Sequence, residues 1–209
     1  IGCGNCEAVC PPAASAITYE HNAKELMTIL PRCIDAGAES IELHSGVPDD
    51  MSTMKEWKVV SDSVPNGLIS MCLDRNHLSN DALIERIETA KEIAGDRLII
   101  QADGIPMSRG KDDFNTTLQA VAIAEIINKR IKKKNKSLKD LPILISGGTN
   151  SLTGNLARQM KVEFNGITIG THARKVISNF KESPKEISNE NLLKAISKSK
   201  ILISQNLHR

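Results

Sequence analysis

Five short runs rich in β-branched residues, each followed by a stretch of helical periodicity, constrain the fold of this 209-residue chain more than any other feature. The runs are Ser40–His44, Leu68–Leu73, Leu98–Ala102, Pro142–Ile145 and Gly166–Gly170. No hairpin turn joins one run to the next. Strands separated by whole helices are parallel, because the chain must cross back before each new strand begins.

The intervening segments carry the apolar spacing of helices. Residues 22–36 place Leu26, Ile29, Leu30, Cys33 and Ile34 on one face. Cys33 is therefore expected in the core, as is Cys72 within the second strand, the usual fate of a free thiol. A helix over 49–63 begins with Asp49 and Asp50, favourable at the positive end of its dipole. Pro65-Asn66-Gly67 is a turn. Ser79 or Asn80 caps a helix over 80–94 whose apolar face is Leu83, Ile84, Ile87, Ala90 and Ala94, and Gly95 ends it. A long helix from Thr116 turns Leu118, Val121, Ala122, Ile126 and Ile127 inward and runs into the basic stretch Lys129–Lys136. Shorter helices are predicted over 153–161, 171–180 and 189–197.

This α/β alternation predicts part of a (β/α)8, TIM-barrel-like domain, preceded by the end of a ferredoxin-like insert. An open, doubly wound α/β sheet is the alternative. Residues 1–20 are assigned to the insert, 21–180 to the barrel-like domain and 181–209 to a C-terminal helical extension.

The insert is read from Cys3-x-x-Cys6-x-x-x-Cys10-Pro11. Iron–sulfur clusters are held by thiolates, and bacterial ferredoxins space them C-x2-C-x2-C-x3-C-P. Cys3, Cys6 and Cys10 match the last three positions. Gly2 and Gly4 give the loop its conformational freedom, and Pro11 stiffens its exit. Zinc would require a further Cys or His pair at fitting distance, and His21 is a poor candidate. The expected cofactor is a 4Fe-4S cluster, two of them in the full-length protein, or one 3Fe-4S cluster. The missing first cysteine falls immediately before Ile1, so the reading expects an upstream part, and expects these residues alone to hold iron poorly.

Composition removes several function classes. Aromatic residues make up 2% of the chain, too few for the stacking platforms that bind single-stranded nucleic acid. A net charge of +2 does not suggest a phosphate-backbone partner. No run approaches the roughly 18 apolar residues of a membrane helix. Five cysteines, three of them at ligand spacing, suit a reducing compartment, and a cytoplasmic protein is expected.

Barrel enzymes and binding proteins carry their sites at the carboxyl ends of the strands, with phosphate sites in the last βα loops. Glu42, His44, Asp74, Gln101 and Asp103 fall at such ends, together with Gly147-Gly148 and Gly170-Thr171. The glycines can present backbone amides to a phosphate, or simply make tight strand-to-helix turns. His44 alone reads as a structural histidine, and Lys132-Lys133-Lys134 as a solvated helix end.

Several segments resemble the cyanobacterial light-dependent period modulator family. Gln101-Ala102-Asp103-Gly104-Ile105-Pro106-Met107-Ser108 is similar to its Q-x-D-G-x-P-M-S segment. Ser146-Gly147-Gly148-Thr149-Asn150 and Gly166 through Lys175 are similar to its G-G-T-N and G-x-x-x-G-x-x-A-R-K segments, and Ile41-Glu42-Leu43-His44 to its strand after the cluster region. Arg109-Gly110-Lys111-Asp112-Asp113 departs from the family's glycine-richer loop, so no ligand role is carried over to it. The resemblance implies a regulator with two ferredoxin-type clusters that passes light or redox information to the circadian clock, with Cys3, Cys6 and Cys10 as ligands.

The leading expectation is a non-enzymatic redox sensor or electron-transfer protein whose partners are circadian-clock or redox proteins or a small redox-active molecule. The rival is an oxidoreductase in which Gln101, Asp103, Gly147, Gly148, Gly170 and Thr171 hold a flavin or phosphate-bearing ligand.

Overall fold

The computed structural model describes residues 23–45, 50–75, 78–104, 113–132, 138–178 and 187–207, with residues 9, 11, 135 and 180 besides. Cys3, Cys6 and Cys10 lie outside the described residues.

Five strands form one sheet: β1 (Ile41–His44), β2 (Ile69–Leu73), β3 (Leu98–Asp103), β4 (Ile143–Ser146) and β5 (Gly166–Ile167). All neighbouring pairs are parallel, and their order in space is their order in the chain. The order never reverses, as it does at the switch point of a doubly wound sheet. The helices are α1 (Ala23–Asp35), α2 (Asp50–Ser63), α3 (Asn80–Ala94), α4 (Asp113–Ile127), α5 (Thr153–Gln159), α6 (Thr171–Ser178) and α7 (Asn189–Asn206). A π-helical turn, Asn128–Lys132, extends α4.

Register and the two-residue period of strands separate the sheet into two chemically distinct faces. Ile41, Ile69, Leu98 and their partners two residues on, Leu43, Met71 and Ile100, fall on one face with Ile143, Ile145 and Ile167. Every one of these is apolar, and together with Val60, Leu83, Ile87, Val121 and Ala124 of the helices they build the core. The opposite face carries Glu42, His44, Ser70, Cys72, Gln101, Asp103 and Ser146, with Ile99 and Leu144 among them.

Local signals explain the helix ends. Ser79 accepts from the Ala82 amide at 3.2 Å, and Gly95 terminates α3 at a φ of 61°, where a side chain would be strained. Trp57 of α2 is fully buried and donates its indole N–H to the Ala90 carbonyl of α3 at 3.0 Å. The capping and the aromatic anchor fix α2 and α3 against β1–β3.

One expectation is corrected. Cys33 is exposed, not in the core. The stripe of α1 that meets the core steps by four residues, Leu26, Leu30 and Ile34, which leaves Cys33 and Ile29 on its flank. Cys72, by contrast, is buried as expected. Arg86, about which the sequence carried no expectation, occupies the inward face of α3 among apolar residues. Its guanidinium donates to Asp50 Oδ1 at 2.7 Å and to the Ser45 carbonyl at 2.6 Å. Those bonds and the ion pair with Asp50 partner the buried charge and tie the start of α2 to the end of β1.

The last helix is longer than its local periodicity predicts. It reaches Asn206, whose side-chain oxygen accepts from the Gly154 amide at 2.9 Å, while Arg158 of α5 donates to the Leu207 and Gln205 carbonyls. Among the described residues, no helix is long and apolar enough to cross a membrane.

Candidate functional site

The alternating period of β1 turns Glu42 and His44 to the polar face, and the parallel register sets Ser70 and Cys72 beside them on β2. Cys72 pairs with Gln101 on β3, and Asp103 with Ser146 on β4. The carboxyl ends of four strands thus bring their polar side chains to one end of the sheet.

Ser45 fixes the end of β1, its backbone N–H and its hydroxyl both donating to the Cys72 carbonyl, at 3.0 and 2.9 Å. His44 Nε2 then lies 3.5 Å from Cys72 Sγ and 3.5 Å from Asp103 Oδ2. The His44 ring is 63% exposed whereas the Asp103 side chain is 8% exposed, so the imidazole stands at the mouth of the cluster and the carboxylate at its floor. Burial pushes the Asp103 carboxyl above the usual carboxylate range, outweighing the opposing effect of His44. Burial likewise drives the Cys72 thiol far upward, with Asp103 and Glu42 adding to it, so the sulfur is a thiol at neutral pH.

Deeper in the face, Gln101 is buried and donates its amide N–H to Glu42 Oε2 and to Ser70 Oγ, the latter at 3.0 Å. It orients the Glu42 carboxylate. Glycine is required next to Asp103: Gly147 has φ 60°, and a Cβ there would meet Asp103 Oδ1 at 1.8 Å. Gly148 follows with φ 69°, its carbonyl accepting from the Thr116 hydroxyl at 3.0 Å.

These residues open onto a cleft of about 360 Å³ lined by Glu42, His44, Asp103, Ser146, Gly147, Gly148, Thr149, Thr168, Gly170, Thr171 and Arg174. Of the residues expected to meet a flavin or phosphate, Asp103, Gly147, Gly148, Gly170 and Thr171 line it. Gln101 does not, and neither does Asp74. Gln101 sits two residues back along β3, behind Glu42.

Arg174 went unassigned in the sequence reading. It lies one turn into α6, donates to Thr171 Oγ1 at 3.2 Å, and adds a cation to the lining that Glu42 and Asp103 share. Its i+3 spacing from Thr171, at the start of a helix that opens on a glycine, was the available signal. The cleft therefore draws acidic side chains from β1 and β3 and a basic one from α6, near the positive end of that helix's dipole.

A larger hollow of about 540 Å³ lies between β5, α6 and α7. Its lining is mostly aliphatic, including Ile167, Ile169, Val176 and Leu202, and it holds no ionisable side chain.

Residues 33–205 match the family described as the light dependent period A C-terminal domain. No curated protein matches. Among solved structures, a thiamine phosphate pyrophosphorylase from Pyrococcus furiosus is similar at 14% identity and a TM-score of 0.25, covering 86% of this chain and 91% of that one.

Proposed function

Because this chain belongs to the light dependent period A family, whose role lies in the light-dependent setting of circadian period, we propose that it is the cytoplasmic, iron–sulfur, redox-responsive regulator of that process. The observation that carries the reading is Cys3-x-x-Cys6-x-x-x-Cys10-Pro11 ahead of the family domain.

The donor chemistry supports assigning a cluster to those cysteines. Clusters of this type need several thiolates. Among the described residues, the group able to converge on one ion is Glu42, His44 and Cys72, a mixed set with a single sulfur. The sheet face is thus unsuited to a cluster, and Cys3, Cys6 and Cys10 would be its ligands. When bound, a 4Fe-4S or 3Fe-4S cluster supplies one-electron chemistry.

The rest of the reading concerns this chain's own groups. Five parallel strands in sequential order are taken as part of a (β/α)8-type wall, whose carboxyl-end rim is the usual place for recognition. Glu42, Asp103 and Arg174 line one rim cleft. A change of cluster charge would act by altering the balance between two arrangements of a docked segment or partner, which is what a switch requires. Clock or redox proteins are the partners this reading predicts.

The rival oxidoreductase reading is favoured by one observation, the convergence of Asp103, Gly147, Gly148, Gly170 and Thr171 with Arg174 on one cleft. Purifying the full-length protein without oxygen and recording its visible spectrum tests both. The regulator predicts broad cluster absorption that falls when Cys6 is replaced by Ser, with no flavin bands. Flavin bands would favour the oxidoreductase, and iron and sulfide content unchanged by Cys6→Ser would overturn the cluster assignment.

A further inference from the structure

We propose that Glu42, His44 and Cys72 form a site for a zinc-like divalent cation on the polar face of the sheet, separate from the cysteines of the N-terminal motif. One ligand atom of each of these residues lies within 4.8 Å of the other two. Carboxylate oxygen, imidazole nitrogen and thiolate sulfur is a donor set that zinc takes readily, whereas magnesium and calcium prefer oxygen alone.

The His44–Cys72 spacing is that of two ligands on one tetrahedral ion. Zinc–sulfur and zinc–nitrogen bonds of about 2.3 and 2.0–2.1 Å at a tetrahedral angle put the two donor atoms about 3.5 Å apart. Cys72 Sγ and His44 Nε2 are 3.5 Å apart. Nitrogen and oxygen donors on the same ion stand about 3.4 Å apart by the same geometry. Asp103 Oδ2 is 3.5 Å from His44 Nε2, so its carboxylate, outside the convergent triad, is placed to hold a metal-bound water.

The surroundings have the outer partners that metal sites use. The Gln101 amide donates to Glu42 Oε2 and is itself buried, which fixes the carboxylate. The Ser45 backbone N–H and hydroxyl both bind the Cys72 carbonyl and lock the ends of β1 and β2 together. Glycine at position 147 leaves the room that Asp103 occupies. Binding replaces the thiol proton of Cys72 by the cation, and that proton passes to solvent; no electron is transferred.

Cobalt(II) is the probe, because a thiolate ligand gives it a charge-transfer band. The full-length protein is stripped with chelator and titrated with cobalt(II) under anaerobic conditions, in parallel with a variant in which Cys3, Cys6 and Cys10 are Ser. The triple variant should bind one cobalt and show the thiolate band, and zinc should displace it. Cys72→Ser in that background should abolish the band, His44→Ala should weaken binding more than tenfold, and Gln101→Ala should weaken it about 10–100-fold. His44 is exposed, so its loss leaves packing intact and guards against misreading a folding failure of the Cys72 variant. Absence of the band from the folded triple variant, or its survival after Cys72→Ser, would overturn the site. Iron bound through the N-terminal cysteines is measured in the Cys72→Ser protein alone, so the cluster reading stands or falls separately.

Discussion

The two faces of the sheet are built from alternate residues of the same strands, yet they obey different physical demands. On the helix-covered face, Ile41, Leu43, Ile69, Met71, Leu98, Ile100, Ile143 and Ile145 are interchangeable in kind: each removes apolar area from water beneath α2–α4. On the other face, Glu42, Ser70, Cys72, Gln101 and Asp103 are not interchangeable, because each holds a named partner. One face stabilises the fold. The other is burdened with buried polar groups, a common cost of a functional surface.

Substitutions can break or sharpen that contrast. Ile100→Ala, on the apolar face and fully buried, should lower unfolding free energy by about 2–5 kcal/mol through lost burial and a cavity, read from denaturant midpoints. Gly147→Ala should cost about 1–3 kcal/mol, since it imposes a side chain at positive φ and against Asp103. Valine there should be worse than alanine. Gln101→Ala, removing donors to a carboxylate and a hydroxyl, should cost about 1–2 kcal/mol and free the Glu42 side chain, visible as averaged side-chain chemical shifts by NMR.

The pH dependence has a definite sign. Burial raises the Asp103 carboxyl above its unfolded value of 3.8, so the native protein holds that proton to higher pH than the unfolded chain does. Stability from this group is therefore present below the unfolded value and is lost as pH rises through the raised native value. Asp103→Asn, with chelator present, should match the wild type in acid and exceed it at neutral pH in urea unfolding. The reverse ordering would mean that Asp103 is held as a stabilised carboxylate. The smallest effect is expected at His44, where alanine should change stability by less than about 0.5 kcal/mol, although the same change should disable metal binding.

Much of the apolar face was legible in the sequence, because β-branched runs such as Leu98-Ile99-Ile100 and a helix bounded by Ser79 and Gly95 carry their own local signals. The Cys33 expectation failed because a helix with apolar residues at both three- and four-residue spacing does not say which stripe its neighbour covers. Arg86 was missed for a related reason: its burial depends on Asp50 and Ser45, some 40 residues away in sequence. The fifth strand shrank from the expected Gly166–Gly170 to Gly166–Ile167, because the chain leaves the ladder after the Thr168 amide bonds to Ile145 and turns toward α6. The end of α7 has weak local signals, Ser and β-branched residues, and is held instead by Gly154 and Arg158. At the site, the strand-end positions were visible one by one. That Glu42, His44 and Cys72 converge required the register between β1 and β2, which no local pattern specifies.

If the protein is the redox-responsive regulator proposed above, its redox state is sensed on the polar face of the sheet. Amide hydrogen exchange on the full-length protein, poised oxidised and then reduced without oxygen, tests it most directly. Protection should change reversibly at His44, Asp103 and Gly147–Thr149 and stay constant in α3 and at the centre of β2. An exchange pattern indifferent to reversible reduction, or a chromophore that cannot be cycled at physiological potentials, would contradict it.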